Sequence, residues 1–247
     1  MLKIGHRGAK GWEPENTLRS FHKAVAWGVD MIEFDIRATK DGKIVVFHDA
    51  RLERLTEAFG RLRDWTLAEL EKLEVGGEEI PALAKVFDTF RGRVGFNVEL
   101  KETGIADEVL ELIRHHQVVD SVLVSAFASG EAGENSTATW QDLFWMKVKE
   151  PNLKIALLAK SREWAEHAIL AAHDNGIFAR ETPFPVYALN LHKDAVDAAL
   201  MQRSREETSA KVLVWTVNRA DEMKRLKDLG VEGIFSDYPD EFDKAGL

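Results

Sequence analysis

The sequence predicts an α/β fold, a closed (β/α)8 TIM barrel, and three observations lead there. Short β-branched runs alternate from end to end with segments whose apolar residues recur at three and four. The 247 residues are the length that eight strand–helix units need. Turn and cap residues fall at the joints between the two patterns. An open doubly wound sheet is the structural competitor on pattern alone.

The expected strands are Leu2 to His6, Met31 to Arg37, Val94 to Lys101, Ser121 to Ser125, Lys154 to Leu158, Val186 to Leu191, Val212 to Val217 and Gly233 to Ser236. Between them, Leu18, Phe21 and Val25, then Ile105, Val109, Leu112 and His116, then Met223, Leu226 and Leu229 mark the buried stripes of helices. Gly28 and Gly230 stand where a helix ends in a left-handed residue, and Thr66-Leu67-Ala68-Glu69 reads as a capping box. A further apolar run, Ile44 to His48, follows the second strand after Asp41-Gly42, a pair favoured in two-residue type I′ turns. It should return as an antiparallel hairpin, and if Lys40 opposes Lys43, His48 lies across from Asp35. Two stretches, Asp49 to Pro81 and Ala128 to Pro151, leave the ends of strands, where barrel catalytic loops gather. They read as rim insertions on a single domain spanning residues 1–247.

Composition narrows the function. With 33 Lys+Arg against 42 Asp+Glu, the net charge of −9 argues against a nonspecific nucleic-acid binder. The absence of cysteine removes thiolate and disulfide chemistry. The longest apolar run, Ile155 to Ala159, falls far short of the roughly 20 residues that span a bilayer, so stable membrane insertion is not expected. The first residues lead directly into a strand with no basic segment and apolar stretch, which points to a cytoplasmic protein.

The chemistry concentrates on two strands. In Met31 to Arg37, Glu33 and Asp35 share the face opposite Ile32, Phe34 and Ile36; in Val94 to Lys101, Asn97, Glu99 and Lys101 share the face opposite Phe96, Val98 and Leu100. Three carboxylates converging at one end of a barrel would repel and lose hydration unless a cation is shared. All-oxygen ligands suit Mg²⁺ or Ca²⁺ better than zinc. The alternative is a buried ion-pair network in which Lys101 and Arg37 neutralise the acids. Of eight histidines, His22, His115, His116, His167 and His173 lie in helical segments as surface or packing residues, and His192 ends a strand near the rim without a second supporting feature. His6 and His48 end strands beside the carboxylates, as a general acid and base require. Arg7 and Lys101 add the fixed positive charge that a phosphate needs. Strand parity leaves open whether His6 or Arg7 faces the axis.

The motifs His6-Arg7-Gly8, Pro14-Glu15-Asn16-Thr17, Glu33-Phe34-Asp35, Thr39-Lys40-Asp41-Gly42, Val46-Phe47-His48-Asp49 and Glu99-Leu100-Lys101 occur in that order. Ile80-Pro81, Ser125-Ala126-Phe127, Trp215-Thr216-Val217-Asn218 and Phe235-Ser236-Asp237 continue the series. Together they resemble the glycerophosphodiester phosphodiesterase family across nearly the whole chain. The resemblance implies a TIM barrel that uses a divalent cation to cut glycerophosphodiesters into glycerol 3-phosphate and an alcohol. It implies Glu33, Asp35 and Glu99 as metal ligands, His6 and His48 as the acid–base pair, and Arg7 and Lys101 on the phosphate. Trp215 would pack against the glycerol end, or serve as an ordinary barrel-layer aromatic. Glu15 and Asn16 would order a helix start and loop.

Which histidine is acid and which base stays open, as do attack by water or by a glycerol hydroxyl, the alcohol headgroup, the native ion and the oligomeric state. The acidic loop Ala128 to Thr139 departs from the family pattern and either selects the headgroup or is mobile. Two rivals stand: a lysophospholipase D on the same scaffold, with Trp140, Phe144 and Trp145 forming an apolar patch at the mouth, and a noncatalytic binder of glycerophosphodiesters.

Overall fold

In the computed structural model, residues 1–128, 131, 136–173 and 185–247 are described. Among them, β1 (Leu2–His6), β2 (Met31–Ala38), β6 (Gly95–Leu100), β7 (Val122–Phe127), β8 (Lys154–Ala159), β9 (Ala188–His192), β10 (Lys211–Trp215) and β11 (Gly233–Ser236) pair in parallel. Because β1 pairs with both β11 and β2, the sheet closes on itself as a (β/α)8 barrel. Every expected strand is present, with ends moved by two residues or fewer, and the open sheet is excluded.

The crossovers run through α1 (Leu18–Ala26), α3 (Leu83–Phe90), α4 (Ala106–His115), α5 (Trp140–Lys149), α6 (Arg162–Ala172), α7 (Ala198–Glu207) and α8 (Ala220–Asp228), and α9 (Glu241–Lys244) closes the chain. Gly28 and Gly230 adopt φ of 70° and 81°, the left-handed geometry that ends α1 and α8. The main core lies between strands and helices, where Phe21 meets Phe34 and Phe90, and Phe96 meets Phe34 and Phe87. Inside the barrel a second cluster, Ile4, Leu123, Ala156, Ala188, Leu213 and Phe235, forms a plug. One period-two step further along each of these strands stands His6, Ser125, Leu158, Asn190, Trp215 and Asp237. The plug therefore supports a floor from which polar side chains rise toward the C-terminal mouth.

The hairpin differs from its expected form. β3 (Ile44–Val46) pairs antiparallel with β2 as Ile36↔Val46, Arg37↔Val45 and Ala38↔Ile44, one residue out from the expected register. Gly42 alone takes a positive φ, 72°, while Asp41 does not, so the type I′ turn that needs both is unavailable. The connection is instead a three-residue loop, closed by Thr39 N–H to Lys43 O at 2.8 Å and Gly42 N–H to Thr39 O at 3.0 Å. Phe47, not His48, then faces Asp35, its N–H donating to Asp35 O at 2.9 Å.

Residues 49–81 carry α2 (Leu67–Leu70) and the two short strands β4 (Glu74–Val75) and β5 (Glu78–Glu79). Thr66 and Glu69 form the expected capping box on α2. Val45 and Phe47 anchor this segment by packing with Leu52, Leu62, Leu70 and Ile80. The loop expected at 128–139 lies partly outside the described residues. Trp140 and Phe144 are buried and only Trp145 is exposed, its indole N–H on Asp107, so the three form no apolar patch at the mouth. No helix among the described residues is long and apolar enough to cross a membrane.

Candidate active site

A cavity of about 300 Å³ opens at the C-terminal ends of the strands, and His6, Arg7, Glu33, His48, Glu99, Lys101 and Trp215 all line it. Asp35 sits just behind that surface, 1% exposed. The sequence expectation thus brings eight residues to one place.

Strand pairing builds the acidic centre. β1, β2 and β6 run side by side with His6↔Glu33 and Asp35↔Glu99 in register, which stacks the inward carboxylates. Glu33, Asp35 and Glu99 each present an oxygen within 4.8 Å of the others. Burial, reinforced by the charges of Asp35 and Glu99, holds the Glu33 carboxyl well above the usual range. Burial acts on Asp35 as well, but Lys101, Arg7 and His48 outweigh it and hold Asp35 well below its ordinary value. Lys101 bridges Asp35, at 3.1 Å, and Glu99. Asp35 Oδ1 meets the Lys101 ammonium, whereas the neighbouring Asn16 Oδ1 is buried without a hydrogen bond among the described residues. A dense oxygen donor set beside an orphaned acceptor, with one carboxyl resisting ionisation, fits a hard divalent cation.

The other basic residue expected to neutralise the acids does something else. Arg37 donates from Nε and Nη2 to the carbonyl of His48, at 2.9 and 2.7 Å, and from Nη1 to Glu102 at 3.1 Å. This fastening, after β3 has ended at Val46, carries His48 to the mouth; strand register does not.

Both His6 and Arg7 reach the cavity. His6 follows Ile4 into the interior, whereas Arg7 takes φ 49° and turns the chain over the mouth. The backbone N–H of Arg7 donates to Glu33 Oε2 at 2.9 Å. Its guanidinium reaches Glu15 at 2.7 Å and Asp35 at 3.2 Å. Burial opposes its charge, but Asp35, Glu15 and Glu33 together raise its pKa.

Each histidine is backed by an aspartate. His6 Nδ1 lies 2.6 Å from Asp237 Oδ1, and Asp237 Oδ2 accepts from Asn218 at 2.9 Å. His48 Nδ1 lies 2.5 Å from Asp49 Oδ1, while Arg54 holds the other oxygen of Asp49 and both oxygens of Glu15. Such contacts fix the tautomer and leave Nε2 for the cavity. Burial pushes His6 down to about 4 despite the opposing hydrogen bond to Asp237. Asn16 and Glu15 order the loop as expected, with Asn16 Nδ2 on Asp35 Oδ2 at 2.9 Å.

The sequence places Asp49 and Asp237 in motifs without a role for either, and does not mark Arg54. Asp49 was legible as the neighbour of His48, whereas Asp237 meets His6 only because barrel closure joins β11 to β1. His192 packs its ring 5.0 Å from that of Trp215 and is not among the cavity residues.

Fold and site together define a (β/α)8-barrel enzyme class whose mouth holds a buried acidic centre compatible with a divalent cation, beside two histidines, Arg7 and Lys101. The particular family follows from comparison: the profile of the glycerophosphoryl diester phosphodiesterase family matches residues 6–241, and the chain belongs to that family. It is 33% identical over 256 residues to a glycerophosphodiester phosphodiesterase of Bacillus altitudinis, covering 97% of this chain and 96% of that one. It is 31% identical over 257 residues to one from Caldanaerobacter subterraneus subsp. tengcongensis, covering 97% and 95%. Among solved structures, an Oleispira antarctica phosphodiesterase in complex with the product sn-glycerol-3-phosphate superposes with a TM-score of 0.81 at 26% identity, covering 99% and 96%.

Proposed function

We propose that this chain hydrolyses glycerophosphodiesters to glycerol 3-phosphate and an alcohol, with one divalent cation, Mg²⁺ or Ca²⁺, held by Glu33, Asp35 and Glu99. The observation that carries this is the three-carboxylate centre, with oxygens within 4.8 Å, set between His6 and His48. Membership of the family and the relatives' names support the substrate class. When bound, the cation supplies Lewis-acid stabilisation of charge on the phosphoryl oxygens.

The chain's own residues do the rest. Arg7 offers a planar fork of donors and Lys101 a point charge, so together they bind and orient the phosphate. Arg7 is held in place by Glu15 and Asp35 before substrate arrives, which lowers the ordering cost of binding. One histidine takes the proton of the attacking water or glycerol hydroxyl and the other gives one to the departing alkoxide, each through Nε2 because Nδ1 is engaged by an aspartate; where the glycerol hydroxyl attacks, water then opens the cyclic phosphate. Trp215, edge-on to Phe127 at 5.8 Å, walls the side where glycerol carbons would lie. The whole chain acts as one barrel unit, with 49–81 on its rim.

His48→Ala should lower kcat for glycerophosphocholine by at least about a hundredfold, as loss of a general acid or base does. Calorimetric cation affinity should change little. Wild-type turnover in the variant, under conditions where chelation stops the parent, would sink the assignment of His48.

A further inference from the structure

The rim segment that follows β3 sends a side chain back toward the reaction centre. Arg54 donates through Nε to Asp49 Oδ2, and through Nη1 and Nη2 to Glu15 Oε2 and Oε1 at 3.0 and 2.7 Å. Asp49 Oδ1 lies 2.5 Å from His48 Nδ1, and Glu15 Oε1 accepts from Arg7 Nη1 at 2.7 Å. A single guanidinium thus joins the carboxylate behind His48 to the carboxylate behind Arg7. Arg54 is not among the residues that line the reaction cavity, so its influence on the reaction passes through these neighbours. It lines instead an open cleft of about 590 Å³ that shares Arg7 and His48 with that cavity.

The backbone on either side of Arg54 is anchored. Leu52 is fully buried in the cluster that holds Val45, Phe47, Leu62, Leu70 and Ile80. Its carbonyl accepts from the N–H groups of Leu55 and Thr56, at 3.2 and 3.0 Å, which curls the chain around Arg54. The planar fork suits the task, because two parallel donors meet both oxygens of Glu15 while Nε serves Asp49. The side chains of Glu15 and Asp49 are only 8% and 14% exposed, so solvent offers them little to replace these bonds. Without Arg54, Glu15 keeps Arg7 as its cationic partner and draws that guanidinium away from the cavity. Asp49, with one oxygen released, turns more freely and fixes the His48 ring and tautomer less firmly.

We propose that Arg54 is a positioning residue that couples the acid–base histidine His48 to the phosphate-binding Arg7, so that the rim segment completes the site. This rests on the roles proposed above for His48 and Arg7.

Two readouts on the cation-loaded protein separate the arms: kcat for glycerophosphocholine follows His48, and calorimetric affinity for glycerol 3-phosphate follows Arg7. Arg54→Ala should lower each by about tenfold. In an Asp49→Ala background, Arg54→Ala should cost little further kcat and still weaken glycerol 3-phosphate binding. In a Glu15→Ala background the pattern should reverse, with affinity little changed and kcat still falling. A merely structural role lowers both readouts alike in every background. That result, a loss confined to one readout, or an Arg54→Ala indistinguishable from wild type overturns the proposal. Should Arg54→Ala not fold, Arg54→Lys decides, because it keeps the charge and loses the fork. Both of its readouts should fall by at least about threefold, and a wild-type value for either overturns the proposal. Wild type that releases no glycerol 3-phosphate from glycerophosphocholine overturns the phosphodiesterase reading, while the affinity arm still judges Arg54.

Discussion

Glu33 is the residue on which stability and chemistry pull in opposite directions. Its folded pKa is raised, by burial and then by Asp35 and Glu99, so deprotonation costs the folded state stability as pH climbs above the unfolded value of 4.5. A shared cation removes that cost. Glu33→Gln should therefore raise the melting temperature of chelator-treated protein at neutral pH, by about 2–4 °C per kcal/mol relieved at this chain length. It should also blunt the further rise that wild type shows with Mg²⁺ or Ca²⁺. Scanning fluorimetry that finds the variant less stable and still cation-responsive contradicts this. Glu15 shows the reverse sign: burial resists its charge, yet Arg54 and Arg7 pull it down to about 2. Its contribution is present above about pH 4.5 and is lost as pH falls toward 2, on the order of 3 kcal/mol in all. Acid titration of Glu15→Gln should show a lower plateau at neutral pH and a shallower loss below pH 4.5 than wild type; superimposable curves count against the network. Most of the candidate residues were legible because carboxylates at spacing two on a strand buried on both faces have few structural explanations. The pairing of Asp237 with His6 was not, since no local pattern records which distant strand closes the barrel.

Among the elements, β1 with its turn and the hairpin after β2 lead to the histidines, and they differ in how sequence encodes them. At the first, Gly8 has φ 83° and a Cβ there would lie 2.4 Å from Ser20 Oγ and 2.7 Å from the Ser20 backbone carbon. Ser20 Oγ in turn accepts from Ala9 N–H at 2.9 Å and donates to the Arg7 carbonyl at 2.8 Å, tying α1 to the turn that displays Arg7. Gly8→Ala should destabilise by roughly 2 kcal/mol or more, through positive φ and the clash together. A urea midpoint within experimental scatter of wild type would show that the turn is not so constrained. At the hairpin, the dipeptide Asp41-Gly42 correctly announced a reversal but not its length, because Asp tolerates either hand of backbone and the local sequence does not choose. The one-residue shift changes which side chain faces Asp35. His48 still arrives at the mouth because Arg37 grips its carbonyl after the strand has ended, a tertiary contact invisible to alternation. Trp140 and Phe144 misled for a related reason: apolar residues beyond a strand end can form a patch at the mouth or the inner face of the next crossover helix, and α5 uses them as the latter.

At the scale of the whole molecule, the barrel separates tasks by depth. The plug from Ile4 to Phe235 closes the interior, Ser125 and Asn190 stand one period-two step above it with Asn97 bonded between them, and the carboxylates, histidines and Arg7 crown the mouth. On the proposed function, a chain of net charge −9 receives an anion because the buried guanidinium of Arg7, the ammonium of Lys101 and the cation they would flank set the local field. This organisation makes one claim central, that the acidic centre works as a cation site in phosphodiester cleavage. Its most direct measurement is glycerol 3-phosphate release from glycerophosphocholine by chelator-stripped protein, before and after adding Mg²⁺ or Ca²⁺. Negligible release is expected before addition and restored turnover after it, with Asp35→Asn restored far less. Full turnover by the stripped protein, unaffected by either ion, would contradict it.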